Sequence, residues 1–382
     1  KLPPFYGGAI GYLSYETVSY FEKIAVNDKG RLCPDGILII PETLLAYDNM
    51  KRSVQIIESV PLGEAGKNAA EAYSSSSEKL QGILTKIRGN LSYEAVPPFK
   101  DDKPAPQALT SEKDYQKGVD KVREFIGAGE IIQAVLSQRF SVATKAPAFE
   151  IYRSLRVLNP SPYLYYLDFG DFQIVGSSPE VMVKLKNGEL LLKPIAGTRK
   201  RGTSVAEDEH LALDLIRDPK ERAEHLMLVD LGRNDLGRVA VPGSVEVADY
   251  MAVEKYSHVM HIVSTIRALV DPTKDAFDVI RATFPAGTLS GAPKIRAMQI
   301  LAELEPVARG PYGGMILNLG FSGNMDSCIT IRTLVLKDGV ATLQAGAGIV
   351  ADSVPEKEME ECRNKAGALL AAIEDTRRRH AP

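Results

Sequence analysis

Two pairs of glutamates, each with a spacing of three residues, are the first candidates for chemistry in this sequence. Glu221 precedes Glu224, and Glu358 precedes Glu361. Within an α-helix this spacing places both carboxylates of a pair on one face. Lys365 follows Glu361 by four residues and shares its face. Taken alone, charges at such spacing more often belong to a solvated helix face than to a site.

The segment that follows Glu224 favours a functional role for it. Glu224 opens the run Glu-His-Leu-Met-Leu-Val-Asp, which places a carboxylate beside an apolar, core-facing stretch. Mg²⁺ prefers oxygen ligands, needs few protein carboxylates and keeps room for water and an anionic substrate. Two glutamates from different helices, Glu224 and Glu361, suit that demand.

The elements that must position these residues are strands in runs and helices in pairs. Apolar periodicity and end signals such as Ser111 predict helices at 111–127, 148–158, 204–231, 275–282, 292–304 and 355–374. Residues 1–60 read mainly as strands, and further strands are predicted at 131–142, 163–169, 172–175, 181–186, 189–193, 239–247, 258–270, 314–320, 328–336 and 341–345. This order argues against a regular βαβ repeat and for an α+β architecture.

Composition limits the class of protein. The 382 residues are 45% apolar and 25% charged, as in globular proteins, and the net charge of -3 gives no basic face for nucleic acid. The cysteines, Cys33, Cys328 and Cys362, form no CxxC pair, which favours a reducing, cytoplasmic compartment over a disulfide framework. We find no apolar run long enough to span a membrane and no signal peptide.

Several familiar motifs fail on inspection. The run 287–294 is not a phosphate loop, because Ala and Pro separate its second glycine from the lysine. It reads as a turn feeding a helix with Pro293 in its first turn, where an anion could still bind. Gly346-Ala347-Gly348 lacks the third glycine of a dinucleotide fingerprint, and 176–180 lacks the final glycine of a nucleophile elbow. The five histidines form no HExxH motif.

A series of short motifs runs in order along nearly the whole chain. They are PPFYGG (3–8) with Gly11-Tyr12, QAVLSQR (133–139), NPSPY (159–163), SSPE (177–180), PIAGTR (194–199), EHLMLVDLGRND (224–235), HVMH (258–261), GTLSGAPKIR (287–296), GPYGG (310–314), IRT (331–333), AGAGIV (345–350) and ECRNK (361–365). Together they resemble the chorismate-utilising enzymes, most closely the large subunits (component I) of anthranilate synthases. That family implies a large β-sandwich-like core of mainly antiparallel sheets with helices packed outside.

The resemblance implies a set of catalytic acids. Glu224 and Glu361 would bind Mg²⁺, which in turn grips the ring carboxylate of chorismate. Glu221 and Glu358 would support them as outer or water-mediated ligands. Glu180 would be the general acid that protonates the departing 4-hydroxyl, a role that needs a raised pKa.

It also implies substrate contacts. Gly197 would act through its backbone and Thr198 through its hydroxyl. Arg332 and Lys365 would pair with the carboxylate of the enolpyruvyl arm, and arginine suits a bidentate contact of this kind.

Three further features belong to the implied site. Tyr312 and a turn at Gly346-Ala347-Gly348 would close around the enolpyruvyl arm, where glycine allows a backbone N–H to approach closely. A single histidine in an apolar strand is more often a core residue, but the family makes His261 an active-site residue that assists aromatisation. His258 and His225 are interpreted as structural.

Three positions separate the branches of the family. Gln133 stands where isochorismate- and salicylate-forming relatives carry a lysine that activates water, and glutamine cannot act as that base. Ala196 stands where aminodeoxychorismate synthases often carry a nucleophilic lysine. The segment Asn159-Pro160-Ser161-Pro162-Tyr163 resembles the lining of the tryptophan feedback site, although without the family it would read as a helix stop and turn. Gln133 favours ammonia over water as nucleophile, and Ala196 with the 159–163 segment favours anthranilate as product.

The implied reaction converts chorismate and ammonia to anthranilate and pyruvate in tryptophan biosynthesis. No glutaminase motif occurs in the chain, so a partner subunit (component II) would supply the ammonia, and tryptophan would inhibit by feedback. One alternative is the aminodeoxychorismate synthase of the folate pathway. Another is a non-catalytic chorismate or tryptophan binder, which the intact set of acidic and basic site residues argues against.

We expect three parts in the chain. Residues 1–96 would form the N-terminal part of the core with a regulatory-side subdomain, 97–110 a proline-rich linker, and 111–382 the chorismate-binding catalytic domain. The chain starts at Lys1 without a methionine, so we expect the natural N-terminus upstream. The family's upstream Leu-Leu-Glu-Ser element, half of the tryptophan site, is not in this sequence, and we therefore expect an altered response to tryptophan.

Overall fold

Antiparallel strands form most of the framework in the computed structural model, which describes residues 2–61, 68–90, 96–99, 101, 105–256 and 259–381. The strands in these ranges, numbered β1 to β18 in chain order, are Gly8–Leu13, Gly36–Ile39, Thr43–Asp48, Ser53–Glu58, Gln107–Ala108, Gln133–Ala143, Tyr163–Asp168, Gln173–Ser178, Val181–Lys186, Glu189–Leu192, Ile195–Lys200, Glu246–Lys255, Val259–Leu269, Gly291–Ala292, Met315–Gly320, Met325–Ile329, Thr333–Lys337 and Val340–Ile349. The α-helices, numbered α1 to α8, are Ala69–Arg88, Glu112–Gly127, Ala148–Leu158, Val205–Arg217, Pro219–Gly237, Ala276–Thr283, Lys294–Leu304 and Pro355–Arg379.

The strands build two large sheets and one hairpin. The larger sheet has the order β11-β13-β10-β9-β16-β15-β1-β2, with β12 also paired to β13. The smaller has the order β14-β6-β18-β17-β8-β7, with β5 also paired to β6, and β3 pairs with β4 alone. Neighbouring strands are antiparallel throughout the described pairings. Because β1 pairs with β15, the start of the chain lies in the same sheet as residues far along it.

The core lies between the sheets and beneath the helices. One apolar cluster joins Tyr12 and Ile316 of the larger sheet to Ile174 and Val335 of the smaller. A second packs α5 and α6 on the larger sheet, and a third packs α3 and α8 on the smaller. Burial of apolar area in these layers is the main stabilising contribution to such a fold. The predicted sandwich-like α+β core is confirmed.

Local signals set several element ends as predicted. Ser111 caps α2 by accepting a hydrogen bond from the Asp114 N–H, and the helix ends at Gly127. The turn between β9 and β10 holds Asn187 and Gly188 at φ 52° and 83°, the left-handed geometry of a tight hairpin. The helix predicted at 355–374 runs on to Arg379.

Three predicted elements are wrong in detail. The strand at 239–247 is instead a turn after α5, with β12 starting at Glu246, because Val239 and Ala240 pack into the core and Gly243 takes φ 81°. The strand at 328–336 breaks into β16 and β17 around Arg332. The helical stretch 204–231 divides at Asp218, which ends α4 and caps α5 ahead of Pro219.

Some expectations fall on residues outside the described ranges. These are residues 100 and 102–104 of the expected linker, and His258. Of the linker's described part, Asp101 pairs with Arg377 of α8 at 2.9 Å and β5 pairs with β6. Among helices in the described ranges, none is both long and apolar enough to cross a membrane.

Candidate active site

The two glutamate pairs lie on different helices, yet the charge of Glu361 acts on Glu224. Asp218 caps α5 by accepting hydrogen bonds from the backbone N–H groups of the first turn, which fixes the helix that carries Glu221 and Glu224. Helix α8 carries Glu358 and Glu361. Burial raises the pKa of Glu224, and the charges of Glu221 and then Glu361 raise it further. Glu224 and Glu361, on separate helices, are therefore near enough for their charges to interact.

These glutamates suit a divalent cation shared with a substrate. The Glu224 carboxylate makes no hydrogen bond or ion pair within the described part of the chain, and Glu361 pairs with Lys365 at 2.7 Å. Burial and the charge of Glu361 raise the pKa of Glu358, and a hydrogen bond with Ser353 opposes that rise. No group of three or more His, Cys, Asp or Glu among the described residues is arranged to hold a metal ion by itself. Mg²⁺ often takes only one or two carboxylates and completes its shell with water and substrate.

Glu180 is a buried carboxyl group between β8 and β9. The backbone carbonyl of Glu180 accepts a hydrogen bond from the Ile329 N–H at 3.1 Å, which ties this residue to the end of β16. Burial raises the pKa of Glu180 to about 7, against the opposing effects of the Thr288 hydroxyl, Lys365 and Arg332. A carboxyl group with this pKa is still protonated in a large fraction of molecules at neutral pH and can donate that proton.

Arg332 sits in the break between β16 and β17. Its backbone takes φ 50°, a left-handed conformation uncommon for a residue with a side chain, and its carbonyl accepts a hydrogen bond from the Ser177 N–H. The partly buried guanidinium makes no hydrogen bond or ion pair with any described residue. Burial lowers its pKa and the nearby Glu180 opposes that change. An unpaired guanidinium in this position is a receptor for an anion.

Gly197 and Thr198 form a bulge in β11 that faces His261 of β13. The register between these strands shifts between Ala196 and Arg199, so two residues oppose one. His261 Nδ1 lies 2.8 Å from the Gly197 carbonyl and 3.1 Å from the Thr198 hydroxyl. Since a carbonyl can only accept, Nδ1 donates its proton, and Nε2 of the neutral ring is left as an acceptor. Burial lowers the pKa of His261, which favours this neutral form.

The expected turn at Gly346-Ala347-Gly348 is wrong, because these residues continue β18 in register with β6. Glycine is required there by crowding. A Cβ on Gly346 would lie 2.7 Å from the Tyr312 hydroxyl, and one on Gly348 would lie 2.3 Å from Nε2 of Gln133. Tyr312 and Gln133 thus lie directly against the strand. Gln133 is 5% exposed, and its Oε1 is buried without a hydrogen-bond partner among described residues.

Within the described ranges, the segment Asn159-Pro160-Ser161-Pro162-Tyr163 makes hydrogen bonds with the two sheets and not with the glutamate pairs. Asn159 ends α3, and its carbonyl accepts a hydrogen bond from the Ser177 hydroxyl. The Tyr163 hydroxyl donates to Asp326 of β16 at 2.8 Å. The segment thus bridges the two sheets.

Comparison with known proteins identifies the family. Residues 1–371 match the family of chorismate binding enzymes. The chain belongs to that family. It is 48% identical over 381 residues to anthranilate synthase component 1 of Acetivibrio thermocellus, covering 98% of this chain and 76% of that protein. It is 48% identical over 378 residues to anthranilate synthase component 1 of Bacillus subtilis strain 168, covering 97% of this chain and 73% of that protein.

Solved structures agree with this family membership. The anthranilate synthase component I of Streptococcus pneumoniae TIGR4 matches with a TM-score of 0.87 at 40% identity, over 97% of this chain and 82% of that one. The menaquinone-specific isochorismate synthase of Escherichia coli matches with a TM-score of 0.75 at 21% identity, over 96% and 78% of the two chains. The second likeness shows the fold alone. The expected fold of the chorismate-utilising enzymes is confirmed.

Sequence patterns missed several residues at the site of this chorismate binding enzyme. Thr288 reads as part of a helix entry, yet its hydroxyl is buried near Glu180 with no hydrogen-bond partner among the described residues. Lys220 reads as surface charge, yet its positive charge opposes the rise in pKa of both Glu224 and Glu358. No local pattern marks these residues, because the contacts that matter are with distant segments.

The helix entry at 287–294 differs from the sequence prediction. Pro293 precedes the first turn of α7 instead of lying within it. Lys294 is already engaged, since its Nζ lies 2.7 Å from the Asp235 carboxylate and both side chains are about nine-tenths buried. This lysine is therefore a structural ion-pair partner between α5 and α7.

Proposed function

We propose that this chain is component I of an anthranilate synthase, converting chorismate and ammonia to anthranilate and pyruvate for tryptophan biosynthesis. The observation that carries the proposal is a buried Glu180, with its pKa raised to about 7, near the guanidinium of Arg332, which makes no ion pair with any described residue. A proton donor beside an anion receptor suits a carboxylated substrate that must lose a hydroxyl group. Relatives with 48% identity over nearly the whole chain bear the same name.

In the proposed reaction Glu180 protonates the 4-hydroxyl of chorismate, which leaves as water while ammonia adds at ring carbon 2. Arg332 and Lys365 hold the carboxylate of the enolpyruvyl arm, and Tyr312 packs beside it. Glu224 and Glu361 would hold Mg²⁺, with Glu221 and Glu358 behind them. Bound there, Mg²⁺ would neutralise the charge of the ring carboxylate as a Lewis acid.

Aromatisation needs a base for a ring proton once ammonia has added. His261 fits that task, because its neutral ring presents Nε2 as an acceptor while Nδ1 is held by the Gly197 carbonyl. A histidine with a lowered pKa is unprotonated at neutral pH and can accept a proton there. Elimination of pyruvate then completes the conversion.

Ammonia, not water, is the proposed nucleophile. The orphan Oε1 of Gln133 is a buried acceptor that would take an N–H of ammonia, and an amide cannot act as a base toward water. Ala196 likewise offers no nucleophile of its own. These two residues support anthranilate over the products of the rival branches.

A product assay with chorismate, ammonium and Mg²⁺ tests the function. The fluorescence of anthranilate separates it from 4-amino-4-deoxychorismate, the product of the folate-pathway rival. Formation of only the latter would refute the assignment. Tight binding of chorismate without turnover would instead favour a non-catalytic binder.

Partners and regulation follow from the proposed function. A glutaminase subunit would deliver ammonia, and tryptophan would bind at 159–163 as feedback inhibitor. Tyr163 of the smaller sheet contacts Asp326 of the larger, which supports that location because a ligand there can act on both sheets. The three free cysteines suit a cytoplasmic enzyme.

Lys365→Ala is expected to raise KM for chorismate about tenfold or more, because it removes a charge-assisted contact with a carboxylate. Steady-state kinetics with varied chorismate measure the effect. Lys357→Ala, an exposed lysine on the same helix, is the matched control and should leave KM unchanged. An unchanged KM in Lys365→Ala would remove this residue from the substrate site.

The pH dependence should report the proton on Glu180. With a pKa of about 7, the general acid is protonated below pH 7 and loses its proton above it, so kcat/KM should fall as pH rises through about 7. The assay should hold free ammonia constant at each pH, since ammonium also deprotonates on the alkaline side. A profile that stays flat well above neutral pH would contradict the assignment of Glu180 as the acid.

A further inference from the structure

We propose that Arg199 is a positioning residue for substrate binding, because its guanidinium locks Glu221 of α5 against the Gly197–Thr198 bulge of β11. The inference rests on the proposed function, and it assigns a role to a residue of the PIAGTR motif that the proposed reaction leaves unused. Arg199 lies just after the bulge, with its side chain 25% exposed.

Four acceptors surround the guanidinium. Nε donates to Asp214 of α4 at 2.9 Å, and Nη2 donates to the Asp218 cap of α5 at 2.9 Å. Nη1 donates to Glu221 at 3.2 Å and to the Thr198 carbonyl at 3.2 Å. The planar fork of arginine can reach all of these at once, whereas the single ammonium of lysine cannot.

The contacts converge on the substrate-facing bulge. Gly197 takes φ 62°, and a Cβ placed there would lie 3.0 Å from Oε2 of Glu221, so that carboxylate packs directly against the bulge. On its other side the bulge holds His261 through the Gly197 carbonyl and the Thr198 hydroxyl. Arg199 therefore fixes the spacing between α5 and the group of residues that would contact chorismate.

A merely structural ion pair would behave differently. An exposed surface pair contributes roughly 0 to 1 kcal/mol to stability and nothing specific to a ligand. A positioning role instead requires that loss of the fork weakens substrate binding even when charge and fold are kept. Misplacement of a substrate-facing group by about 1 Å can cost a large factor in rate.

The test compares Arg199→Lys and Arg199→Gln with a control two residues away. Arg201 makes an equivalent fork to Asp208, at 2.8 and 3.0 Å, in the first turn of α4, whereas Asp214 lies near the end of that helix. Both Arg199 variants should raise KM for chorismate about tenfold, with a smaller change in kcat, while Arg201→Gln keeps a KM near wild type. A wild-type KM in Arg199→Lys, or equal effects at both arginines, would overturn the inference.

A double-mutant cycle identifies the partner. If Arg199 acts through Glu221, then Arg199→Gln should add less than about twofold to KM in a Glu221→Gln background. A full additional loss in that background would overturn the inference. Calorimetry without ammonia measures chorismate affinity in the same variants in the absence of turnover. A failure of the proposed reaction in wild type is then distinguished from a failure of the positioning role.

Discussion

Glu180→Gln is expected to lower kcat for anthranilate formation by about 10²- to 10⁴-fold, the range lost with a general acid. The amide keeps the shape of the side chain but has no proton to give to the leaving hydroxyl. Burial raises the pKa of the native carboxyl to about 7, so a large fraction of wild-type enzyme carries that proton at neutral pH. Anthranilate fluorescence under saturating chorismate and ammonium measures kcat directly.

The fold should tolerate this change. Because the pKa of Glu180 is raised on folding, the folded state holds the proton more tightly, and wild-type stability falls as pH rises from the unfolded value of about 4.5 toward 7. Above that window glutamine avoids the cost of a buried charge, so the variant should be at least as stable as wild type at alkaline pH. Glu189→Gln, an exposed glutamate on the neighbouring hairpin, is the matched control. Retention of most of kcat in Glu180→Gln would exclude it as the acid.

Glu361→Gln is expected to abolish Mg²⁺-dependent activity and to leave the fold intact. The side chain is 46% exposed and pairs with Lys365, so its neutralisation removes little from the core. Glutamine is a poor ligand for a hard cation, because it lacks the negative charge that compensates dehydration of Mg²⁺. Titration of activity with Mg²⁺, together with Mn²⁺ binding followed by electron paramagnetic resonance, separates loss of metal from loss of chemistry.

The neighbouring Glu360 provides the matched control for that experiment. It is exposed on the same helix, and Glu360→Gln should keep both metal binding and turnover. Circular dichroism and thermal unfolding of both variants should match wild type. Turnover of Glu361→Gln at the wild-type rate would refute the metal assignment.

Elements with strong local signals were predicted well. The cap at Ser111, the hairpin turn at Asn187-Gly188 and the helix that begins at Pro355 each depend on neighbours within a few residues. Elements whose ends depend on distant contacts were predicted less well. The strand predicted at 328–336 is rich in apolar and β-branched residues, yet Arg332 leaves the ladder and lies near Glu180.

The turn expected at Gly346 and Gly348 was wrong for a related physical reason. The conformational freedom of glycine suggests a turn, but here glycine relieves crowding from Tyr312 and Gln133 within a continuous strand. A sequence shows that a side chain is absent, whereas only the packed structure shows what fills the space.

The sequence by itself determined the family, the fold class and the side chains available for chemistry. It also showed that Gln133 cannot act as a base and that Ala196 cannot act as a nucleophile. It placed Glu221 with Glu224 and Glu358 with Glu361, because helical periodicity is a local property. The tertiary structure alone decided that Glu361 acts on Glu224 across two helices, that burial raises the pKa of Glu180 to about 7 and that Arg199 holds Glu221. Each of these depends on burial or on charges brought together from separate elements, which no local pattern encodes.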